Sequence, residues 1–210
     1  IKECGLSPDL FPKIYPSGTP VGNCLDNPSL QFLSDVPVSI AGHDHVVAAL
    51  AVGGLDGSTV LNSVGTAEVL LGAMPSVALT DVHYESGLSF GPHVLSGKLC
   101  WMGGLPASGG SIEWIKGILA DPHLTYDRIQ QLVNDLPRQP SGIVYHPFLA
   151  GSGAPWPDPF ACGAFLGLRR QHGKAHVLQA VFEGICMAVE HIRREARRTT
   201  NSSLEQIVVV

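Results

Sequence analysis

The sequence predicts an α/β domain. Two patterns carry the prediction: short apolar runs that end at glycine or proline, and longer stretches whose apolar residues recur at steps of three and four. Composition adds a third. Of 210 residues, 45% are hydrophobic and 15% charged. That is enough apolar mass for a real core and too little charge for a disordered chain. The length suits one large domain or two small ones.

Residues 1–37 hold six prolines and little periodicity, so they read as an extended lead-in to a domain at 38–210. Residues 38–41 form a short apolar run ending at Gly42, consistent with a buried strand. Residues 46–52 read as a helix with a glycine cap at Gly53-Gly54. Residues 59–63 and 67–72 read as two strands around the turn Val64-Gly65-Thr66. Strand-like pieces follow at 88–90 and 99–102. A helix opens at Gly109-Gly110-Ser111 and carries Ile112, Ile115 and Leu119 on one side. A second runs over 126–136, where Ile129, Leu132, Val133 and Leu136 share a face. Strands at 143–149 and 164–168 flank a loop dense in Gly and Pro at 151–159.

The clearest element is a long helix over 175–198. Leu178, Val181, Ile185, Ala188 and Ile192 lie on one stripe, and Ala180, Gly184 and Ala188 form a small edge that permits close packing. Arg193, Arg194, Arg197 and Arg198 crowd its end, where cations suit the helix dipole. The chain closes on four consecutive β-branched residues, Ile207 to Val210, which predict a fully buried strand. Domains rarely stop inside such a strand, so the chain is expected to be part of something larger.

Net charge is −5 with 13 Lys and Arg, and the basic residues cluster densely only at 193–198. Nucleic acid is therefore not expected as a partner. No apolar run approaches the roughly 18 residues that cross a bilayer, and no leader pattern is visible. The five cysteines, Cys4, Cys24, Cys100, Cys162 and Cys186, form no C-x-x-C pair, so zinc-ribbon and thioredoxin chemistry are not indicated. They read as reduced structural residues, with Cys162 and Cys186 in apolar surroundings. Reduced thiols fit a cytoplasmic protein. Low charge and an apolar closing strand predict surfaces prone to self-association, a homo-oligomer being one outcome.

Four constellations carry chemistry. In Ala41-Gly42-His43-Asp44-His45, a strand runs into glycine and then a carboxylate. This places Asp44 at the carboxyl end of a strand, where open α/β sheets bind ligands. There it serves either as a helix cap or as a base for a substrate hydroxyl. His43 and His45 also form an H-x-H pair, but two ligands are too few for a metal site and none is expected. In Asn62-Ser63-Val64-Gly65-Thr66-Ala67, a Ser, Gly and Thr turn joins two strands. It is either a plain hairpin turn or an anion nest. Ser108-Gly109-Gly110-Ser111 opens a helix, either as a glycine cap or as an anion site. Gly151 to Pro159 is a stiff loop that braces a neighbour or lines a cleft.

In this order the pieces resemble the carboxy-terminal domain of the FGGY carbohydrate kinases, of the actin-like, ribonuclease-H-like ATPase fold. The motifs are Ala41 to His45 before an Ala-rich helix, Ser63-Val64-Gly65-Thr66, Ser108 to Trp114, Gly151 to Asp158 before Gly163-Ala164-Phe165-Leu166-Gly167-Leu168, and Ala180-Val181-Phe182-Glu183-Gly184. The segment at 10–22 also resembles the family's inter-domain stretch. The resemblance implies a mixed sheet with flanking helices, and ATP and Mg2+ with a sugar or polyol as acceptor. It implies Asp44 as general base on the sugar hydroxyl and His45 beside the sugar. It places Gly65 and Thr66 on the ATP phosphates and Gly109 and Gly110 near the nucleotide, and makes Glu183 a packing residue. It also implies an absent amino-terminal kinase domain as partner. One departure is visible: relatives often carry Gly-Glu-Arg-x-Pro where this chain has Gly151-Ser152-Gly153-Ala154-Pro155. The alternative function is a non-catalytic nucleotide-binding or regulatory module, since fold does not fix function. A weaker third is a metallohydrolase at His43 and His45.

Overall fold

The computed structural model describes residues 2–23 and 28–210; Cys24 lies outside them. The centre is a five-stranded sheet made of β3 (Thr59–Val64), β4 (Glu68–Pro75), β5 (Ser89–Pro92), β6 (Lys98–Leu105) and β9 (Gln206–Val209), in the spatial order β5-β6-β4-β3-β9. Only β9 runs parallel to its neighbour, β3; the other pairs are antiparallel. The sheet is thus mixed, as expected. Its helices are α1 (Asp44–Ala51), a short α2 (Asp81–Glu85), α3 (Gly109–Leu119), α4 (Tyr126–Asn134) and α5 (Lys174–Thr200).

The two faces of the sheet differ in depth. Alternation sends Val60, Leu70 and Trp101 to one face and Leu61, Leu71 and Cys100 to the other. The first set joins Leu178, Val181, Ile185 and Ile192 of α5, with Ile115 and Ile129, in one large core. The second set meets Val46 and Ala49 of α1 in a small one, with Ala48, Val52, Val94 and Met102 packed against it. Glycine permits the close approaches. A Cβ on Gly72 would lie 2.6 Å from the Trp101 ring nitrogen, and one on Gly184 would strike the Tyr145 carbonyl oxygen. The small edge predicted on α5 is therefore the surface that receives β7 (Val144–His146), which pairs with β8 (Ala164–Leu166).

The end of α1 follows its sequence. Gly53 takes a left-handed φ of 88°, and Gly53 and Gly54 donate to the Leu50 and Ala49 carbonyls at 3.2 and 2.7 Å. That pattern closes a helix through a glycine beyond its cap. Three of the four arginines at the end of α5 are paired: Arg193 and Arg194 with Glu190, and Arg198 with Glu195. Among the described residues, no helix is long and apolar enough to cross a membrane.

Three expectations need correction. The predicted buried strand at 38–41 is instead an exposed β2 (Pro37–Ser39), paired with β1 (Pro20–Asn23) in a separate two-stranded sheet. Among the described residues no layer covers β1 and β2, and Val38 and Ile40 are exposed. The closing strand is not fully buried. Among the described residues β9 pairs with β3 alone, and Ile207 and Val209 are exposed. Cys162 and Cys186 are exposed, and Cys100 is the buried thiol. Cys186 lies on α5 outside the apolar stripe, and Cys162 follows the Gly/Pro loop.

Candidate active site

Asp44 is the first residue of α1. The residue before it, His43, is the actual cap, its Nδ1 accepting the His45 backbone N–H at 3.3 Å. Asp44 Oδ1 accepts the same N–H at 2.8 Å and lies 3.2 Å from His43 Nδ1. The side chain of Asp44 is 89% exposed, so capping does not consume it: one carboxylate oxygen is anchored and the other is available. Ligand atoms of His43, Asp44 and His45 all lie within 4.8 Å of one another. Asp44 thus adds a third donor atom beside the H-x-H pair, but a helix start disfavours a cation.

Beside α1 opens a cavity of about 570 Å³, lined by Tyr15, Ser17, Gly42, His43, His93 and Met102 among others. It lies on the thin side of the sheet. The lead-in forms one wall: Gly18 N–H donates to the Ile40 carbonyl at 2.8 Å, and the Ser17 hydroxyl donates to the Ala41 carbonyl. His93 forms another and is buried. Its Nδ1 accepts the Leu95 N–H at 3.0 Å, which assigns the proton to Nε2. That Nε2 has no partner among the described residues. Burial, and then the Lys98 charge, push its pKa below the usual value, so the ring is neutral at pH 7.

The turn at Gly65 and Thr66 joins β3 to β4 and is exposed. A Cβ on Gly65 would meet only the Ala67 carbonyl oxygen at 3.5 Å, which leaves room for a ligand against its backbone. The start of α3 departs from the anion-site reading. Ser108 and Gly110 N–H each donate to the Thr66 carbonyl at 3.0 Å, and Gly109 N–H donates to the Gly65 carbonyl at 3.0 Å. These donors are spent on the turn. Gly109 is glycine because a Cβ there would lie 2.5 Å from the Gly65 oxygen. The turn and the helix start are one docked unit.

Sequence reasoning missed the group that sits under this unit. Glu68 opens β4, is 4% exposed, and accepts from Asn62 Nδ2 at 2.7 Å and Ser108 Oγ at 2.5 Å. The available signal was a lone carboxylate at the head of an otherwise apolar strand. His93 was missed for want of any motif around it. Glu183 bonds Ser141 through N–H and hydroxyl, and also Gln179, which fits a packing role. The loop at 151–159 braces β6, with Ala154 N–H donating to the Gly104 carbonyl at 3.2 Å. It also lines a second hollow, of about 290 Å³, with Ala67, Glu68 and Met102. Asp158 serves a turn, accepting the Phe160 N–H at 2.8 Å. Met102 lines both spaces, so the cavity beside His43 and the hollow beside the turn share a wall.

Residues 60–210 match the C-terminal domain of the FGGY family of carbohydrate kinases. The chain is 27% identical over 210 residues to a xylulose kinase of Bacillus subtilis, covering 99% of this chain and 41% of that protein. It is 26% identical over 197 residues to a gluconokinase of the same organism, covering 88% and 37%. Among solved structures, ligand-bound xylulose kinase from Lactobacillus acidophilus is similar over 100% of this chain and 42% of that one, with a TM-score of 0.83 and 19% identity. The xylulose kinase of Rhodospirillum rubrum gives 0.79 and 23%, covering 98% and 41%. The chain thus spans about two fifths of the length of the curated relatives it matches.

Proposed function

The chain belongs to the FGGY family of carbohydrate kinases, and on that premise we propose that it is the nucleotide-side domain of an ATP-dependent sugar or polyol kinase. Residues 38–210 form the domain, residues 1–37 lead in from an amino-terminal half, and the whole works in the cytoplasm. Relatives are named for xylulose and gluconate, which makes these the first acceptors to try.

The observation that carries the reading is the setting of Asp44: an exposed carboxylate, anchored by one oxygen at a helix start, next to residues that line a large cavity. A sugar hydroxyl placed there is oriented by the free oxygen of Asp44. As that hydroxyl oxygen bonds to the γ-phosphorus of ATP, the bond from phosphorus to the β,γ-bridging oxygen breaks and ADP leaves. The hydroxyl proton passes to Asp44. Such chemistry needs mainly positioning and charge stabilisation. Gly65 fits a phosphate because its backbone is open to approach, and Thr66 adds a hydroxyl. Gly109 and Gly110 act indirectly, by fixing the turn. His45, half-exposed one residue on, is placed for a second contact with the sugar. Magnesium, delivered on the phosphates, supplies neutralisation of their charge; no dedicated cage of this chain is assigned to it.

The test is Asp44→Asn in the full-length protein. Removing a general base lowers turnover by about 100-fold or more, while sugar and ATP still bind. A variant that turns over within a few-fold of wild type overturns the base assignment.

A further inference from the structure

The mechanism above makes no use of the carboxylate of Glu68, although it is the buried acid beneath the phosphate turn. Its two oxygens accept from Asn62 in β3 and from Ser108 at the start of α3. Side chains therefore repeat the linkage that the main chain makes from Ser108, Gly109 and Gly110 to the carbonyls of Gly65 and Thr66. The hairpin is held from both ends of its turn, since Asn62 lies before it and Glu68 after it. All three side chains are buried. Burying a carboxylate is costly unless it is well paired, and an apolar residue would fill the hollow at lower cost. What the carboxylate adds is a fixed geometry between two segments that are forty residues apart in sequence.

We propose that Glu68 is a positioning residue for nucleotide binding: through Asn62 and Ser108 it sets the Gly65–Thr66 turn against α3, and so sets the affinity for the ATP phosphates. The inference rests on the phosphate-binding role proposed for that turn. Glutamine at 68 preserves the bridge, because its carbonyl accepts from Asn62 and its amide donates to the Ser108 hydroxyl, which turns to accept. Alanine removes the bridge and leaves Asn62 Nδ2 and Ser108 Oγ unpaired.

The experiment compares Glu68→Ala, Glu68→Gln and Gly65→Ala in the full-length protein. It uses equilibrium titration with ATP, steady-state KM for ATP and for the sugar, and thermal melting. Glu68→Ala is expected to raise the Kd and KM for ATP about tenfold, the size of one lost buried hydrogen-bond network. The sugar KM stays within about twofold, and Glu68→Gln recovers most of the loss. A merely structural residue lowers the melting temperature and the active fraction without this split between the two KM values. Wild-type ATP affinity in Glu68→Ala, or an equal rise in both KM values, overturns the proposal. If Glu68→Ala does not fold, Ser108→Ala removes one partner alone, and wild-type ATP affinity there overturns it as well. Gly65→Ala separates the two readings. Wild-type ATP affinity in Gly65→Ala refutes the phosphate turn itself; a loss there but none in Glu68→Ala refutes only the role of Glu68.

Discussion

One face of the sheet is buried under three helices, and the other is covered by one. On the deep face, α5 lays Leu178, Val181, Ile185 and Ile192 across Leu70 and Trp101, and α3 and α4 add Ile115 and Ile129. On the thin face, α1 contributes Val46 and Ala49 against Leu61, Leu71 and Cys100. The two carboxylates of interest divide the same way. Glu68 is buried on the deep face with both oxygens occupied, whereas Asp44 stands exposed at the thin face with one oxygen free. The proposed base stands exposed where substrate can reach it, and the proposed positioning residue is buried with its oxygens held.

Truncations on the two faces measure this division. Leu178→Ala removes a side chain that is 1% exposed at the centre of the deep core. It should cost about 2–5 kcal/mol of unfolding free energy, read from urea denaturation. Val46→Ala deletes two buried methyl groups on the thin face and should cost about 1–2 kcal/mol. It should also raise the sugar KM, since Val46 lines the cavity. If Val46→Ala costs as much as Leu178→Ala, the thin face is not thin in energy, and the contrast fails.

The deep face was largely legible in the sequence and the thin face was not. The stripe on α5, its small edge at Gly184, the hairpin at 59–72 and the opening of α3 all follow from local period and glycine placement, because each is built by residues close in sequence. The strand at 38–41 misled because a run of apolar residues cannot say which partner it will meet; here the partner is β1, away from the core. Asp44, Gly65 and Thr66, the proposed site residues, were singled out by motif order. The docking of Gly109 onto Gly65 and the Asn62–Glu68–Ser108 network were not, because contacts over forty residues leave no periodic trace.

Acid should separate the two faces by the pH at which each gives way. His93 walls the thin-face cavity, and burial followed by Lys98 lowers its pKa from the usual 6.5. The folded state resists protonation, so this contribution is whole above pH 6.5 and is lost as pH falls through the lowered value. His93→Gln should flatten that part of the stability curve. On the outer surface of α5, hydrogen bonding from Arg193, helped by Arg194, pulls Glu190 from 4.5 to about 2. Here too the folded pKa is depressed, so the contribution is whole above pH 4.5 and is lost as pH falls toward 2. Its side chain is 36% exposed, solvent and salt screen it, and it should be worth no more than about 1 kcal/mol. Glu190→Gln should therefore leave stability near neutrality almost unchanged and remove a small slope below pH 4.5, with 1 M salt abolishing the difference. A Glu190→Gln protein that instead loses its acid slope near pH 6 would place the titrating group on the wrong face.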